Sequence, residues 1–506
     1  MSLTRSFFVL ILLSPFSATG WAGPADVVDI GSRRELFIDD LLIDRMTDVR
    51  LELHHPIPRE IVLVHDQPWE GSGCGYHQVF QDEGRYRLYY RGWQIRVEGK
   101  KLTRPHIPVA CYAESLDGIH WVKPELGLIE FEGSKKNNIV WDGAGYEGHD
   151  LTPFIDTNPA ASKEEKYKAL AWAWQGSKGL RAFGSPDAIR WSFMDDGKAV
   201  MTKGAFDTQN IAFWDTLRKE YRAYIRDFHL HASSGENIRD VRTSTSKDFM
   251  NWTEPVMVSF PDVPDEPLYT NQVAPYYRAP HIFIGFPVRY SERAWDDHYK
   301  NLPRYEHRKG RTQGHVRYGS AITDTLFMSS RDGHSFKRWG ESFLRPGPQH
   351  PNNWAYGDNY MAWHVVETAS AIPGAPREIS LYATESYWTG KSDRLRRYTL
   401  RVDGFVSVAA PMKGGELLTR PLIFSGDTLE INFSSSAAGS IRIEVQDSAG
   451  RAIPGLALED SFEIFGDQLD RLVEWKGGAQ LGPLSGKPVR LRFVMKDADL
   501  YSLRFK

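Results

Sequence analysis

Short apolar runs broken by polar turns fill most of this chain, and residues 204–255 show the pattern most clearly. Asn210-Ile211-Ala212-Phe213-Trp214 reads as a buried strand and Asp215 to Glu220 as a polar turn. Tyr221-Arg222-Ala223-Tyr224-Ile225-Arg226 reads as a strand in which aromatic and apolar side chains are interleaved with basic ones. A third strand, 240–244, runs into Ser246-Lys247-Asp248-Phe249-Met250-Asn251-Trp252. Period-two patterning with turn punctuation predicts an antiparallel meander.

The closing heptapeptide recurs. Ser115 to Trp121, Ser185 to Trp191, Ser246 to Trp252 and Ser330 to Phe336 all read S-x-D-x-x-x-[W/F]. Ser and Asp side chains bond turn N–H groups, and the aromatic pins the turn to a neighbouring layer. Each copy follows two strand-like runs, so the unit is a repeat of blade size, the sequence sign of a β-propeller. Five such units are counted. The first runs from about Trp69 and the second from Asp150. The third is the stretch above, and the fourth runs from about Glu266. The fifth starts near Tyr356 and ends in a worn signature at Asp403-Gly404-Phe405.

The ends read differently. Residues 1–22 hold Arg5, the apolar run 7–13 and small residues near Ala22, a secretory signal pattern. A bilayer crossing needs about 20 apolar residues, so the expectation is a secreted or periplasmic protein. Segment 34–44, with ELFIDDLLID and its acids Asp39 and Asp40, is expected either to close the ring on the fifth blade's open edge or to carry its acids to the centre. After Pro411 no signature appears, and alternating strands predict a small β-sandwich. The predicted architecture is all-β: signal peptide 1–22, five-bladed β-propeller 23–410 and β-sandwich 411–506.

Sixty-two basic against 65 acidic residues give a net charge of −3, which favours neither nucleic acid nor a membrane surface as partner. The 16 Trp residues include flat faces suited to sugars. Cys74 and Cys111 fall on first and third strands of one blade, which are not neighbours, so both are expected as buried free thiols. No C-x-x-C or zinc spacing occurs, and no metal ligand is assigned. His229 and His231 are read as loop residues. A calcium in the axial tunnel is compatible with the fold but has no signature here.

A propeller presents its chemistry where the inner strands converge. Candidates there are Glu70, or Tyr76 and His77, from blade one, and Asp150 with His149 from blade two. Blade three offers Asp207 and Gln209, blade four Glu266 and Asn271, and blade five Asp358 and Asn359. Asp207, Glu266 and Asp358 are the expected catalytic carboxylates, because glycosidic cleavage needs one protonated and one ionised acid. Arg91, Arg226 and Arg242 suit hydroxyls or a substrate carboxylate or sulfate. The charged insertion 290–317 is expected to shape the mouth.

The five meanders with inner acids, followed by a sandwich, resemble the five-bladed glycoside hydrolases of the invertase/levanase and arabinanase/β-xylosidase groups. More closely, ELFIDDLLID, GSKKNNIVWDG, YTNQ, YRAPHIFIGFP, YGDNY and KDADLYS resemble a secreted planctomycete-type set described only as glycosyl-hydrolase-like. The invertase W-M-N-D-P-N-G and E-C motifs are absent, and Arg226-Asp227-Phe228 is not taken as their R-D-P triplet, so no catalytic role is transferred. The resemblance implies a glycoside hydrolase acting on a carbohydrate, and the chain is expected to be a monomer. The rivals are a sugar-binding propeller and a glycan lyase with a Tyr or His base.

Overall fold

The computed structural model describes residues 27–143, 150–173, 178–231, 233–390 and 392–506. The signal-like segment 1–22 and His149 lie outside the described residues.

Five antiparallel sheets form a five-bladed propeller. Blade one is Gly75–Asp82, Arg85–Gly92, Val109–Ser115 and Ile139–Trp141. Blade two is built on Thr152–Ile155, Tyr167–Ala173 and Gly179–Ser185. Blade three is Ile211–Asp215, Glu220–Leu230, Asn237–Ser246 and Val256–Met257. Blade four comprises Ala274–Tyr276, Ala279–Gly285, Met328–Ser330 and Lys337–Arg338. Blade five holds Val366–Thr368, Glu378–Glu385 and Arg394–Leu400, and its outer strand is Ile57–Val64 from the other end of the chain.

That last pairing corrects the expectation for 34–44. The ring is closed by Ile57–Val64, while Glu35–Leu36 pairs with Val489–Phe505 and Ile43–Thr47 with Gly415–Thr419. Asp39 and Asp40 do not reach the centre, because Arg331 holds Asp39 at 2.6 Å and Lys337 holds Asp40 at 3.1 Å. The worn signature of blade five is no hairpin turn of the repeat. Asp403 is fully buried between Tyr276, whose hydroxyl donates at 2.7 Å, and Ser502, at 2.8 Å, and so links the propeller to the C-terminal strands.

The C-terminal strands and residues 28–53 form one ten-stranded hydrogen-bonded sheet. Its two long strands, Leu429–Asp447 and Val489–Phe505, shift register at 432/433 and 435/440, as strands do where a bulge turns a sheet on itself. Ile30, Phe37 and Leu42 from the beginning pack with Phe433, Phe493 and Trp475 from the end in one core. Burying each such aromatic or aliphatic side chain contributes about 1.5–3 kcal/mol.

All four heptapeptides make the same turn. The Ser Oγ accepts the N–H three residues on: Gly118, Ala188, Phe249 and Gly333, at 2.9, 2.9, 3.0 and 2.9 Å. The Asp Oδ1 accepts the next two N–H groups, at 2.9 and 2.7 Å for Asp248. The residue between them has φ from 67° to 77° in every copy, even where it is Ala188 or Phe249, so the side-chain bonds sustain a left-handed conformation that a β-carbon disfavours.

The first strands stand side by side around the axis, where glutamines fill the centre. Gln209 Nε2 donates to Gln78 Oε1 at 2.7 Å, and Gln272 Nε2 donates to Gln209 Oε1 at 2.8 Å. Gln78 also donates to the Leu151 carbonyl, and Gln272 to that of Met361. All three are buried, so every blade is tied into one network and the base of the funnel is shut.

Candidate functional site

Above the glutamines, residues at the mouth-side ends of the inner strands form a ring of tyrosines and arginines. Tyr76 opens blade one's inner strand with φ 55°, which turns its side chain out of the period-two pattern. Its hydroxyl lies 3.4 Å from that of Tyr269 of blade four. From Tyr269 the rings continue to Tyr360 at 5.4 Å and Tyr290 at 5.9 Å, and Tyr360 stacks on Tyr387 at 6.0 Å. The Tyr360 hydroxyl is buried with no hydrogen-bond partner among the described residues.

Three cations interleave with these rings. Arg91 stacks between Tyr76 and Trp93 at 4.2 and 4.4 Å, donates to the Tyr387 hydroxyl at 3.2 Å and stands 3.6 Å from Asp150. Arg226 lies over Tyr269 at 5.6 Å and 3.9 Å from Asp207. Arg239 lies 4.6 Å from the Tyr290 ring centre. Burial drives the Tyr76, Tyr269, Tyr360 and Tyr387 hydroxyls well above their ordinary range. They stay protonated at neutral pH.

Two expected carboxylates act on this ring. Asp150 and Asp207 both exert their charge on Tyr76. Asp150 is buried beside Arg91. The Asp207 side chain is 61% exposed.

The other expected residues sit elsewhere, each for a definite reason. Both Glu266 oxygens are taken by arginines, Oε1 by Arg289 at 3.2 Å and Oε2 by Arg338 at 2.5 Å. It lines a cavity of about 690 Å³ that also holds Arg239 and Tyr290 and flanks the ring. Asp358 is buried and accepts the backbone N–H groups of Ala355 and Tyr387, both at 2.9 Å. Burial pushes its carboxyl up to about 7. Asp358 thus shapes the turn carrying Tyr356 and Tyr360 instead of facing the mouth.

Glu70 is also internal, accepting from the Tyr90 hydroxyl at 2.5 Å and from Lys123 at 2.6 Å. His77 meets His65 ring to ring, with Nε2 atoms 3.1 Å apart, and burial lowers it to about 3. Asn271 accepts the Val273 N–H at 3.2 Å, and Asn359 donates to the Thr323 carbonyl at 3.3 Å. Arg242 pairs with Asp227 at 2.7 Å. His229 is held between Asp240 and Asp265, at 2.9 and 2.7 Å.

The insertion lies at the mouth. Its hairpin Val288–Glu292 with Ala321–Thr325 delivers Tyr290, and its helix Tyr305–Thr312 docks on blade five. There Arg304 donates to the Thr389 carbonyl at 2.6 Å and Arg311 to that of Trp388 at 3.0 Å. Tyr269, Tyr290, Tyr360 and Tyr387 were not singled out from sequence. Tyr76, Tyr269 and Tyr360 each stand one to three residues ahead of an inner-strand Gln or Met, and aligning the blades on that position brings them out.

Cys74 and Cys111 are both buried free thiols. Blade one explains this, since Arg85–Gly92 runs between their strands.

No protein-family model matches the chain, and no curated protein matches it significantly. Among solved structures it is similar to BT0996 in its RGII complex, with TM-score 0.43 and 11% identity over 70% of this chain and 93% of that one. It is similar to the catalytic domain of a Coprinopsis cinerea GH62 alpha-L-arabinofuranosidase, with TM-score 0.41 and 8% identity over 69% and 99%. A Bombyx mori GH32 beta-fructofuranosidase matches with TM-score 0.38 and 11% identity over 90% and 94%. At TM-scores below 0.5 these likenesses carry no argument about the site, whose chemistry rests on the side chains described above.

Proposed function

We propose that the axial mouth binds a carbohydrate and hydrolyses a glycosidic bond, with Asp207 and Asp150 as the carboxylate pair. The observation that carries this reading is Asp207, an exposed carboxylate beside Arg226 at the edge of a ring of tyrosines. Aromatic faces stack on sugar rings, and arginines hold hydroxyl or acidic substituents. One carboxyl delivers a proton to the leaving oxygen, and the other activates water or attacks the anomeric carbon. The tyrosines and His77 do not suit the base of a lyase. The former hold their protons, and the latter is buried against His65.

The exposed site and the signal-like N-terminus support an exported enzyme acting on a polymer or oligomer outside the cell. The test is release of reducing ends from a panel of neutral, uronate-bearing and sulfated polysaccharides, with Asp207→Asn and Asp150→Asn alongside. Loss of cleavage with retained binding in both variants is the expected result. Undiminished cleavage by Asp207→Asn removes it from the chemistry, and binding without cleavage by wild type favours the sugar-binding propeller.

A further inference from the structure

At the seam where the ring closes, three chain segments turn metal-ligating side chains toward one point. His65 follows the closing strand Ile57–Val64, Cys74 precedes Gly75–Asp82, and Asp393 precedes Arg394–Leu400. All three have 0% exposure. One ligand-type atom from each lies within 4.8 Å of the other two. His65 Nδ1 stands 2.6 Å from Asp393 Oδ1, yet among the described residues neither atom has a hydrogen-bond partner of proper geometry, and neither has Asp393 Oδ2. His77 Nδ1 and Ser72 Oγ are buried in the same condition.

Each unsatisfied buried polar atom costs about 1–3 kcal/mol. Three of them, His65 Nδ1 and both Asp393 carboxylate oxygens, belong to one cluster and call for an occupant they can share. Glu70 is not free to join them, since its oxygens are committed to Tyr90 and Lys123.

We propose that His65, Cys74 and Asp393 hold a divalent first-row transition ion, of which Zn²⁺ is the natural occupant, as a clasp on the closed ring. A nitrogen, a sulfur and a carboxylate oxygen make a borderline-soft set. It suits zinc, whereas calcium and magnesium favour all-oxygen shells. With Nδ1 on the metal, His65 Nε2 is left to donate to His77 Nε2 at 3.1 Å, the outer hydrogen bond that ligating imidazoles regularly make. The Trp93 N–H points at Cys74 Sγ from 3.4 Å, where it can donate to a metal-bound sulfur. On binding, the sulfur–metal bond forms as the thiol proton leaves to solvent. The ligands are fixed by main-chain bonds across the seam, His65 N–H to the Asp393 carbonyl and Asp393 N–H to the Gly71 carbonyl, both at 3.1 Å. The clasp therefore joins blade five to blade one. Spacing rules do not reveal it because its ligands come from positions 65, 74 and 393.

The test is elemental analysis of the purified full chain, then Co²⁺ titration of chelator-stripped protein, read by the thiolate-to-cobalt charge-transfer band and by Tm. One equivalent of metal is expected. The band should appear in wild type and in Cys111→Ala, which removes the other buried thiol, and be absent from Cys74→Ser and Asp393→Asn. Stripping should lower Tm, with Zn²⁺ but not Ca²⁺ restoring it. Metal-free protein whose stripped form gives no cobalt band overturns the proposal, as do a band that survives Cys74→Ser or equal rescue by Ca²⁺. The wild-type spectrum decides the matter even if a variant fails to fold.

Discussion

The Arg91 guanidinium lies 4.2 Å from the centre of the Tyr76 ring. Lysine cannot reproduce this planar stack or the fork that also reaches Tyr387 and Asp150. Arg91→Lys is therefore expected to weaken substrate binding, raising KM on the order of tenfold, a loss of about 1.4 kcal/mol. Arg91→Ala takes the neighbouring cation from buried Asp150 and is expected to cost stability as well, about 3–5 kcal/mol. Steady-state kinetics with denaturant melts separates the two. A lysine variant with unchanged KM would remove Arg91 from the substrate's surroundings.

Glu266→Gln gives the opposite pattern. Its oxygens serve Arg289 and Arg338, so the variant is expected to keep kcat within about twofold while losing about 1–3 kcal/mol of stability. A collapse of kcat in folded protein would return Glu266 to the catalytic acids.

Asp358 sets a pH dependence. Its carboxyl is raised by burial to about 7 in the folded protein, against about 4 in an unfolded chain. Below pH 4 it is neutral in both states and costs nothing. Between pH 4 and 7 the unfolded chain ionises while the folded one does not, so stability falls as pH rises, on the order of 4 kcal/mol in all. Asp358→Asn has no such titration. The variant should be less stable than wild type near pH 4, because one backbone N–H loses its acceptor, at a cost of about 1–3 kcal/mol, and should overtake it by pH 8. Parallel curves from pH 4 to 8 would contradict this.

The axial glutamines act as a unit. Gln209→Leu strands the Gln78 carbonyl oxygen and one Gln272 N–H in the dry centre. The expected cost is on the order of 3 kcal/mol, read as a drop in Tm. A variant as stable as wild type would mean that the three amides do not tie the blades together.

The blades were legible in sequence because their turns are local. Ser246 and Asp248 bond N–H groups within three residues, and burial of Asp248 is outweighed by Asn251 and the neighbouring N–H groups, which hold its carboxyl down to about 2. The direction of an inner-strand side chain is not local. Tyr76, Gln272 and Asn359 have φ of 55°, 48° and 63°, and each such residue breaks the alternation by which facing is read. Thus Asp207 and Asp150 stand beside the ring, while Asp358 is buried behind it and Glu266, in a flanking cavity, is held by two arginines. The same limit hid the partner of 34–44, since nothing near those residues signals strands more than 350 positions away.

The strand pairing that seals the ring joins Arg396 to Ile61, 335 positions apart. During synthesis, four blades can be assembled while residues 57–64 wait with an unsatisfied edge until the final blade emerges. The same wait applies to residues 28–53, whose partners are made last. Contacts this distant slow folding and prolong exposure of sticky edges. The native ring therefore becomes cooperative only at its final step, and trimming back into either 28–64 or the last strand would leave both the circle and the adjoining sheet unfinished.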